Sequence, residues 1–457
     1  MKIHKKYLLA VVLISMGMIC TGVAFGAISA EEASQLGGPV LTPLGAERAG
    51  NKEGTIPAWT EGMIPIPKSY KPGSGIYPDP YADEKPLFSI NAKNMAQYAD
   101  KLSEGHKTLM RRYPDYRMDI YKTHRMVSTP QWWYDNTKKI ATICGLTNDG
   151  ETLTGKGCHA GLPFPIPKTG IEMYWNANLG YTPGGYTTGY EAYNITPGGR
   201  ASLSAKQLFI ADLNWSNPDK PDDWRMYTVK MISTGPPRRV GEIQIYQYPL
   251  DYRHKGYMVW LYLPGQRRVR VAPDVCCDTP NVSTAGASVY DDSSGFNGNP
   301  DRFTWKLLGK KEMYIQANTY KLNFWQGPVD QVLKPHFINP DFQRYELMRV
   351  WVVELTLKPG KRHVYGRRLI YAPEDSYSFQ LVDNFDLKGN LYRMTVKHSA
   401  QVYGIPGGGF TGVTEFYDLI ANSYAVHQWP RGGFKVNIGW HPDEFFSPDN
   451  IAGEGIR

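Results

Sequence analysis

The sequence predicts an α+β chain in which antiparallel β-structure dominates, and three observations carry that expectation. From residue 225 onward, β-rich runs follow one another and are joined by short turns at Pro264-Gly265, Pro359-Gly360 and Asp386 to Asn390. Only one long amphipathic helical stripe is visible, between Asn91 and Tyr113. Pro39 to Phe88 holds nine prolines and cannot be regular helix or central strand. The chain has 457 residues, of which 42% are hydrophobic and 13% aromatic, with a mean hydropathy of −0.43. That composition excludes a disordered chain and a polytopic membrane protein, and no heptad or collagen repeat is sustained.

Taken in chain order, Lys2, Lys5 and Lys6 precede an apolar run from Tyr7 to Ile19, and Ala24-Phe25-Gly26 offers small residues for cleavage. Residues 1–26 therefore read as a secretory signal, with an uncleaved anchor as the competing reading. Cys20 lacks the small residues in front of it that lipidation wants. Ser29 with Glu32 forms a capping box for a short helix closed near Gly37. Residues 27–90 then form a Pro-rich arm laid over the body. In the helix expected over 91–113, Met95, Tyr98, Leu102, His106, Leu109 and Tyr113 fall on one stripe, and Pro114 ends it. Strands are expected at 225–233, 240–248, 257–263, 267–271, 349–357, 362–371, 378–382 and 391–396. Residues 257–263 are apolar or aromatic on both faces, so something must cover the second face. Residues 91–400 form the sheet body, and 401–457 read as a Gly-rich C-terminal extension.

Cleavage of the signal removes three lysines and no acid from a formal charge of +8, leaving +5. That is too diffuse to argue for nucleic acid. Four cysteines remain: Cys144, Cys158, Cys276 and Cys277. An even number in an exported chain suggests disulfides. A Cys144–Cys158 bridge would close a short loop and contribute about 3 kcal/mol. A Cys276–Cys277 bridge would form a small, easily reduced ring. The spacing alone leaves the pairing open, including the case in which all four are unbridged.

No established catalytic pattern survives inspection. Gly407 to Gly412 satisfies G-x-G-x-x-G without a βαβ context or a following acid. Gly150 to Gly157 resembles a P-loop but places Gly157 where Ser or Thr must hold magnesium. There is no H-E-x-x-H, G-x-S-x-G or C-x-x-C, and the ten histidines are scattered. No metal, cofactor or catalytic residue is assigned. Asp291-Asp292 and Glu374-Asp375 sit beside turn formers and read as loop acids.

Two features remain. Arginines accompany the aromatic strands: Arg238, Arg239, Arg267, Arg268, Arg270, Arg349, Arg367 and Arg368. Such a row can hold carboxylates or phosphates, or it can simply pair with surface acids. Trp132, Trp133, Trp175, Trp260, Trp305 and Trp351 could line an apolar groove, although single tryptophans are more often core.

Several segments also resemble a known family. They are Gly161-Leu162-Pro163-Phe164-Pro165-Ile166-Pro167-Lys168, Gly235-Pro236-Pro237-Arg238-Arg239-Val240-Gly241-Glu242, Tyr262-Leu263-Pro264-Gly265-Gln266-Arg267-Arg268-Val269-Arg270 and Phe296-Asn297-Gly298-Asn299-Pro300-Asp301-Arg302, with Lys310-Lys311-Glu312-Met313-Tyr314 and Arg349-Val350-Trp351-Val352-Val353-Glu354. In this order they resemble the exported proteobacterial family known as domain of unknown function 1329, from about Leu36 to about Lys397. Residues after 400 match less clearly, and Cys276-Cys277 stands where the family carries a non-cysteine pair. The resemblance implies a large curved antiparallel sheet, a half-barrel similar to the outer-membrane lipoprotein carriers, closed by a few helices. It also implies work beside exporters of the resistance-nodulation-division type and an outer-membrane protein. It brings no catalytic residues.

The expected function is a periplasmic carrier or adaptor that buries an amphiphile, a fatty acid or lipid, against Trp260, Tyr262 and Trp351. Arg238, Arg239, Arg267, Arg268 and Arg270 would hold its acidic head group. Two other readings stand beside it: a non-carrying scaffold of an export complex, and an envelope glycan or lipid hydrolase using acids such as Glu354 beside Trp351.

Overall fold

The computed structural model describes residues 26–273, 275–405, 407, 410–437 and 439–454. The expected signal, with Cys20, lies outside the described residues except for Gly26, as do Gly408 and Gly409 of the glycine run.

The first helix, α1 (Ala30–Ser34), carries the expected capping box: Ser29 Oγ accepts from Glu32 N at 3.2 Å, and Ser29 N donates to Glu32 Oε2 at 2.9 Å. The arm follows and leads into strand β1 (Phe88–Asn91). The single helix expected over 91–113 is two. A 3₁₀ segment runs from Met95 to Lys101, Leu102 is extended, and α2 spans Glu104–Arg112. Ser103 makes the break, because its hydroxyl accepts from His106 N at 3.2 Å and starts a new helix. Asp383 then accepts from Glu104 N and Gly105 N at 2.9 and 3.0 Å, tying this helix start to the sheet.

Strand β2 (Arg117–Tyr121), α3 (Gln131–Ile140), the two-residue strands β3 (Gly145–Leu146) and β4 (Leu153–Thr154), and α4 (Gly170–Asn178) come next. Cys144 and Cys158 are disulfide-bonded across the β3–β4 hairpin, while Cys276 and Cys277 are free. Replacing both bridged cysteines by alanine is expected to cost about 3 kcal/mol, given the short loop that they close. The check is the denaturant midpoint, and an unchanged midpoint would mean that the bridge does not constrain the unfolded chain.

Two meanders complete the chain. The first is β5 (Gly185–Ile195), β6 (Ala201–Asp212), β7 (Arg225–Gly235), β8 (Ile243–Pro249), β9 (Met258–Leu263) and β10 (Arg268–Val271). The second is β11 (Phe303–Gln316), β12 (Tyr345–Leu357), β13 (Arg367–Pro373), β14 (Leu381–Phe385), β15 (Leu391–Gln401), β16 (Phe410–Asp418) and β17 (Ser423–Trp429), with α5 (Tyr320–Asn323) between β11 and β12. They join where β17 pairs with β5, which makes one large antiparallel sheet from β11 to β10. A short parallel contact attaches β2 to β12, and β18 (Phe434–Asn437) pairs with the start of β5. Helix α6 (Pro448–Glu454) ends the described chain.

The expected C-terminal extension is therefore part of the body, with β16 and β17 at the centre of the sheet. The Gly407–Gly409 run drew the boundary, but the apolar alternation in 413–419 and 424–429 belongs to buried strands.

The sheet bends into a trough. Tyr174 on α4 lies 5.4 Å, ring to ring, from Trp305 on β11, and its hydroxyl donates to Tyr252 Oη, just past β8, at 3.0 Å. In a flat sheet those strands would stand about 50 Å apart, at about 4.8 Å per strand. Residues of α3 and α4 fill the bend together with Phe296, Val353, Ile370 and Tyr246. On the opposite face of the second meander, Leu109 and Met110 of α2 pack against Met313, Met394 and Val396. Both faces are thus covered, which accounts for strands that are apolar on both sides. Two buried arginines pin the arm: Arg125 donates to Glu47 O at 2.7 Å, and Arg349 bonds Ala49 O. No helix among the described residues is long and apolar enough to cross a membrane.

Candidate functional site

The inner face of β5–β8 is not filled. Strand alternation places Tyr186 and Tyr190, Phe209 and Ala211, Val229 and Met231, and Gln244, Tyr246 and Tyr248 on that face. Residues 281–297 form the opposite wall with Asn281, Ser283, Tyr290 and Ser294. Between them lies a cavity of about 210 Å³. A second chamber of about 280 Å³ shares Tyr248, Tyr257, Tyr290 and Asn297 with it and reaches Cys276, Cys277 and Arg302. A side pocket of about 70 Å³ shares Tyr186, Tyr190 and Phe209 and adds Thr188.

Much of the wall is aromatic and neutral. Tyr227 and Tyr248 stack at 4.1 Å, and Tyr186 stacks on Phe209 at 5.5 Å. Their hydroxyls are largely spent on protein partners. Tyr227 Oη donates to Asn297 Oδ1 at 2.8 Å, Asn297 Nδ2 donates to Tyr248 Oη at 3.1 Å, and Tyr190 Oη donates to Gln207 Oε1 at 2.6 Å. Burial pushes these phenols above their ordinary range, so they stay protonated. The rings are left to face the cavity.

One end is different. Lys397 of β15, Thr414 of β16 and His427 of β17 stand in one cross-strand row. Lys397 and His427 line the cavity, and among the described residues Lys397 is the one lysine or arginine side chain that lines the first chamber. The ammonium donates to Ser378 Oγ at 3.4 Å, a weak contact, and no carboxylate pairs with it among the described residues. Desolvation lowers its pKa to about 8. Lys397 is half-buried and lines the cavity. Burial likewise lowers His427 to about 4, so that ring is neutral. Thr188 Oγ1 and Thr414 Oγ1 are buried without a hydrogen-bond partner. Thr188 and Lys397 share the side pocket at this end of the aromatic cavity, and Thr414 stands beside Lys397 in the cross-strand row.

The wall formed by 281–297 is held by buried charge. Arg368, fully buried, donates to Asp291 Oδ1 at 3.1 Å, Asp292 Oδ1 at 2.8 Å, Asn384 Oδ1 at 2.8 Å and Gly295 O at 3.0 Å. His363 Nε2 lies 2.9 Å from Asp291 Oδ2. Burial opposes ionisation of Asp291, but Arg368 and His363 outweigh it and hold the carboxyl below its usual range. Glu374 and Asp375 are buried likewise and bond Arg125, with Lys310 and Arg349 on Glu374. Both acid pairs, expected as loop acids, are instead centres of buried ion clusters.

The structure redistributes the residues singled out by sequence. Trp260 and Tyr262 point away from the cavity: Tyr262 packs with Ile243, Ile245 and Ile451 of α6 on the outer face. Their neighbours Val259 and Leu261 face inward. Because the strand is apolar on both sides, its hydropathy could not say which face was inner. Trp351 lies at the edge of the main core, with Lys310 Nζ 4.7 Å above its ring, and does not line the cavity. Arg239 is buried behind the site, bonded to Glu242 at 2.8 Å and reaching Ser283 Oγ at 3.5 Å. Arg238, Arg267, Arg268 and Arg270 are exposed at the rim and touch no cavity. Sequence reasoning missed Lys397. Its signal was the inward face of β15, where Arg393, Thr395, Lys397 and Ser399 alternate with Met394 and Val396.

Comparison with known proteins agrees with the sequence resemblance. The sequence profile of the family described as "Protein of unknown function (DUF1329)" matches residues 89–452. The Uncharacterized protein PA3922 of Pseudomonas aeruginosa is 38% identical over 461 residues, covering 99% of each chain. Among solved structures, a DUF1329 family protein from Desulfovibrio piger is similar with a TM-score of 0.41 at 14% identity, over 61% of this chain and 95% of that one. The LolA superfamily protein NE2245 from Nitrosomonas europaea is similar with a TM-score of 0.37 at 11% identity, over 62% of this chain and 99% of that one.

Proposed function

The chain belongs to the DUF1329 family, and from that membership and the cavity we propose that it is a periplasmic carrier for an amphiphile with an acidic head group. The observation that carries this reading is Lys397, whose ammonium meets no carboxylate among the described residues and shares one end of a tyrosine-walled trough with the orphaned hydroxyl of Thr188. The acyl part of a fatty acid or lipid would lie along Tyr186, Tyr246 and Tyr248 and extend toward the second chamber. The two chambers together fall in the lower part of the range for small-molecule sites. Each buried methylene would contribute about 0.8 kcal/mol, enough for micromolar binding after the entropic cost of association. Cargo exchange with an exporter of the resistance-nodulation-division type and its outer-membrane partner belongs to the same reading.

The open interior favours a carrier over a scaffold, which has no use for a cavity. For the hydrolase reading, no free pair of acids lines the two chambers among the described residues. Glu354 accepts from Arg367 on the strand surface, and Asp291 and Asp301 beside the second chamber are engaged by Arg368 and Lys361.

The test is titration of delipidated mature protein with a fluorescent fatty acid such as cis-parinaric acid. Saturable uptake of one equivalent is expected. The free thiols report occupancy independently, because Cys276 and Cys277 line the second chamber. Palmitate is expected to slow their alkylation by maleimide several-fold. No saturable uptake, with alkylation indifferent to palmitate, would remove the carrier reading.

A further inference from the structure

At one corner of the trough the surface is both cationic and apolar. Among the described strands, β10 pairs only with β9 and ends the sheet. Arg268 and Arg270 on this strand and Arg267 in the turn before it are exposed. The β7–β8 turn adds exposed Arg238, and the two turns touch: a methyl on Gly241 would come within 3.0 Å of the Pro264 ring. None of the four guanidinium groups meets a carboxylate among the described residues. Nearby arginines do: Arg225 meets Asp223, Arg239 meets Glu242, and Arg302 meets Asp278. Two exposed apolar side chains border these charges: Val240, 54% exposed, in the β7–β8 turn, and Val271, 60% exposed, which stands opposite Trp260 and so on the other face of the edge strand from Arg268 and Arg270.

Arginines on an edge strand also discourage strand addition. That role explains neither the exposed valines nor the extension of the patch onto the neighbouring turn. Side chains of both faces border the free edge of the sheet, and unpaired guanidinium groups flanked there by apolar side chains are complementary to an anionic lipid surface, where the charges meet phosphates and the valines reach the acyl boundary. The location also fits. Arg270 stands opposite Leu261, and Leu261 opposite Gln244, which lines the cavity. At about 4.8 Å per strand, the patch and the cavity wall are roughly 10 Å apart along one row of the sheet.

We propose that the corner formed by Arg238, Val240, Arg267, Arg268, Arg270 and Val271 docks the protein onto an anionic phospholipid membrane, next to the wall of its cavity. The docking needs no cargo and is tested without it. Mature protein is sedimented with extruded vesicles of phosphatidylglycerol and phosphatidylethanolamine, or of phosphatidylcholine alone. Binding to the anionic vesicles is expected, and it should weaken as salt rises because surface charges are screened over about 10 Å at 0.1 M. Each arginine should contribute about fivefold to partitioning. The combined Arg238→Gln, Arg267→Gln, Arg268→Gln and Arg270→Gln variant should therefore lose on the order of a hundredfold or more. Val240→Ser with Val271→Ser should weaken binding several-fold and leave the salt dependence unchanged. A control set of exposed cations elsewhere, Lys68→Gln, Arg111→Gln, Arg200→Gln and Arg362→Gln, should stay within a fewfold of the parent. Circular dichroism verifies folding of each variant. Absence of binding to anionic vesicles at low salt would overturn the proposal. So would an equal loss in the control set, which would reduce the effect to net charge. Failure of fatty-acid uptake with intact vesicle binding would remove the carrier reading and leave this docking in place.

Discussion

Arg368→Met is expected to destabilise the protein by about 3–5 kcal/mol, the cost of removing one partner from a buried ion cluster. The guanidinium is fully buried and satisfies both Asp291 and Asp292 as well as Gly295 O. Methionine keeps much of the volume against Phe296, whose ring lies 5.0 Å from the guanidinium carbon. The loss is therefore chiefly electrostatic: two carboxylates remain buried without their cation. The pH dependence separates this account from a packing defect. In the parent, Asp291 has a depressed pKa, so its stabilisation is present above the unfolded value of about 3.9 and is lost as pH falls through the lower folded value. In the variant, both carboxyls would have raised folded values, so protonation relieves the strain and the gap to the parent narrows as the solution is acidified. Denaturant midpoints at pH 7.5 and pH 5 measure both effects. A packing defect would give the same gap at both pH values, and adding Asp291→Asn to the variant should recover part of the loss only if the charge account holds. The same cluster holds residues 281–297 against the trough, so acyl-chain affinity should fall together with stability.

The fold class and the strands of 225–271 and 349–396 were legible because their signals are local, whereas the strands at 185–212, 303–316 and 410–437 were not among those expected. The β9–β10 turn at Pro264-Gly265, the β12–β13 connection at Pro359-Gly360 and the β14–β15 turn around Gly389 all join strands whose pairing the structure displays. The capping box at Ser29 was readable from two residues. The break at Ser103 was hidden by an apolar stripe that runs through it, and only the competing hydroxyl ends the first segment. The site was less legible, because its decisive contrast lies between strands far apart in sequence. Lys397 looks like an ordinary strand lysine until Tyr186 and Phe209, about two hundred residues earlier, close around it. Arginine density drew attention to 267–270, yet an edge strand exposes its charges to solvent, whereas Lys397 on a central strand is half-buried against the cavity. The two acid pairs misled for the same reason: their partners, Arg368 and Arg125, are remote in sequence.

Lys397→Met is expected to weaken fatty-acid binding by roughly ten- to a hundredfold while making the empty protein more stable. The first effect follows from losing a charge-assisted hydrogen bond, typically about 1.5–3 kcal/mol. The second follows from the sign of the pKa shift. The ammonium titrates at about 8 in the folded chain and near 10.4 in an unfolded one. Below pH 8 the folded state therefore carries a desolvation penalty of the order of 3 kcal/mol, which fades as pH rises from about 8 to about 10.4. Methionine removes the penalty, so the variant should unfold at higher denaturant at pH 7, and its advantage should vanish near pH 10.5. A carboxylate ligand offsets the same penalty by pairing with the ammonium. Parent affinity for palmitate should accordingly fall above pH 8, where the empty site loses its proton, and the variant's affinity should be flat across that range. An uncharged long-chain alcohol should bind parent and variant within a fewfold of each other. A residue retained only for packing would lower stability when replaced and would not discriminate acid from alcohol. If Lys397→Met binds palmitate as tightly as the parent, the anion site is misplaced and the head group sits elsewhere. Stability and acid affinity moving in opposite directions would mark a charge kept buried for its ligand.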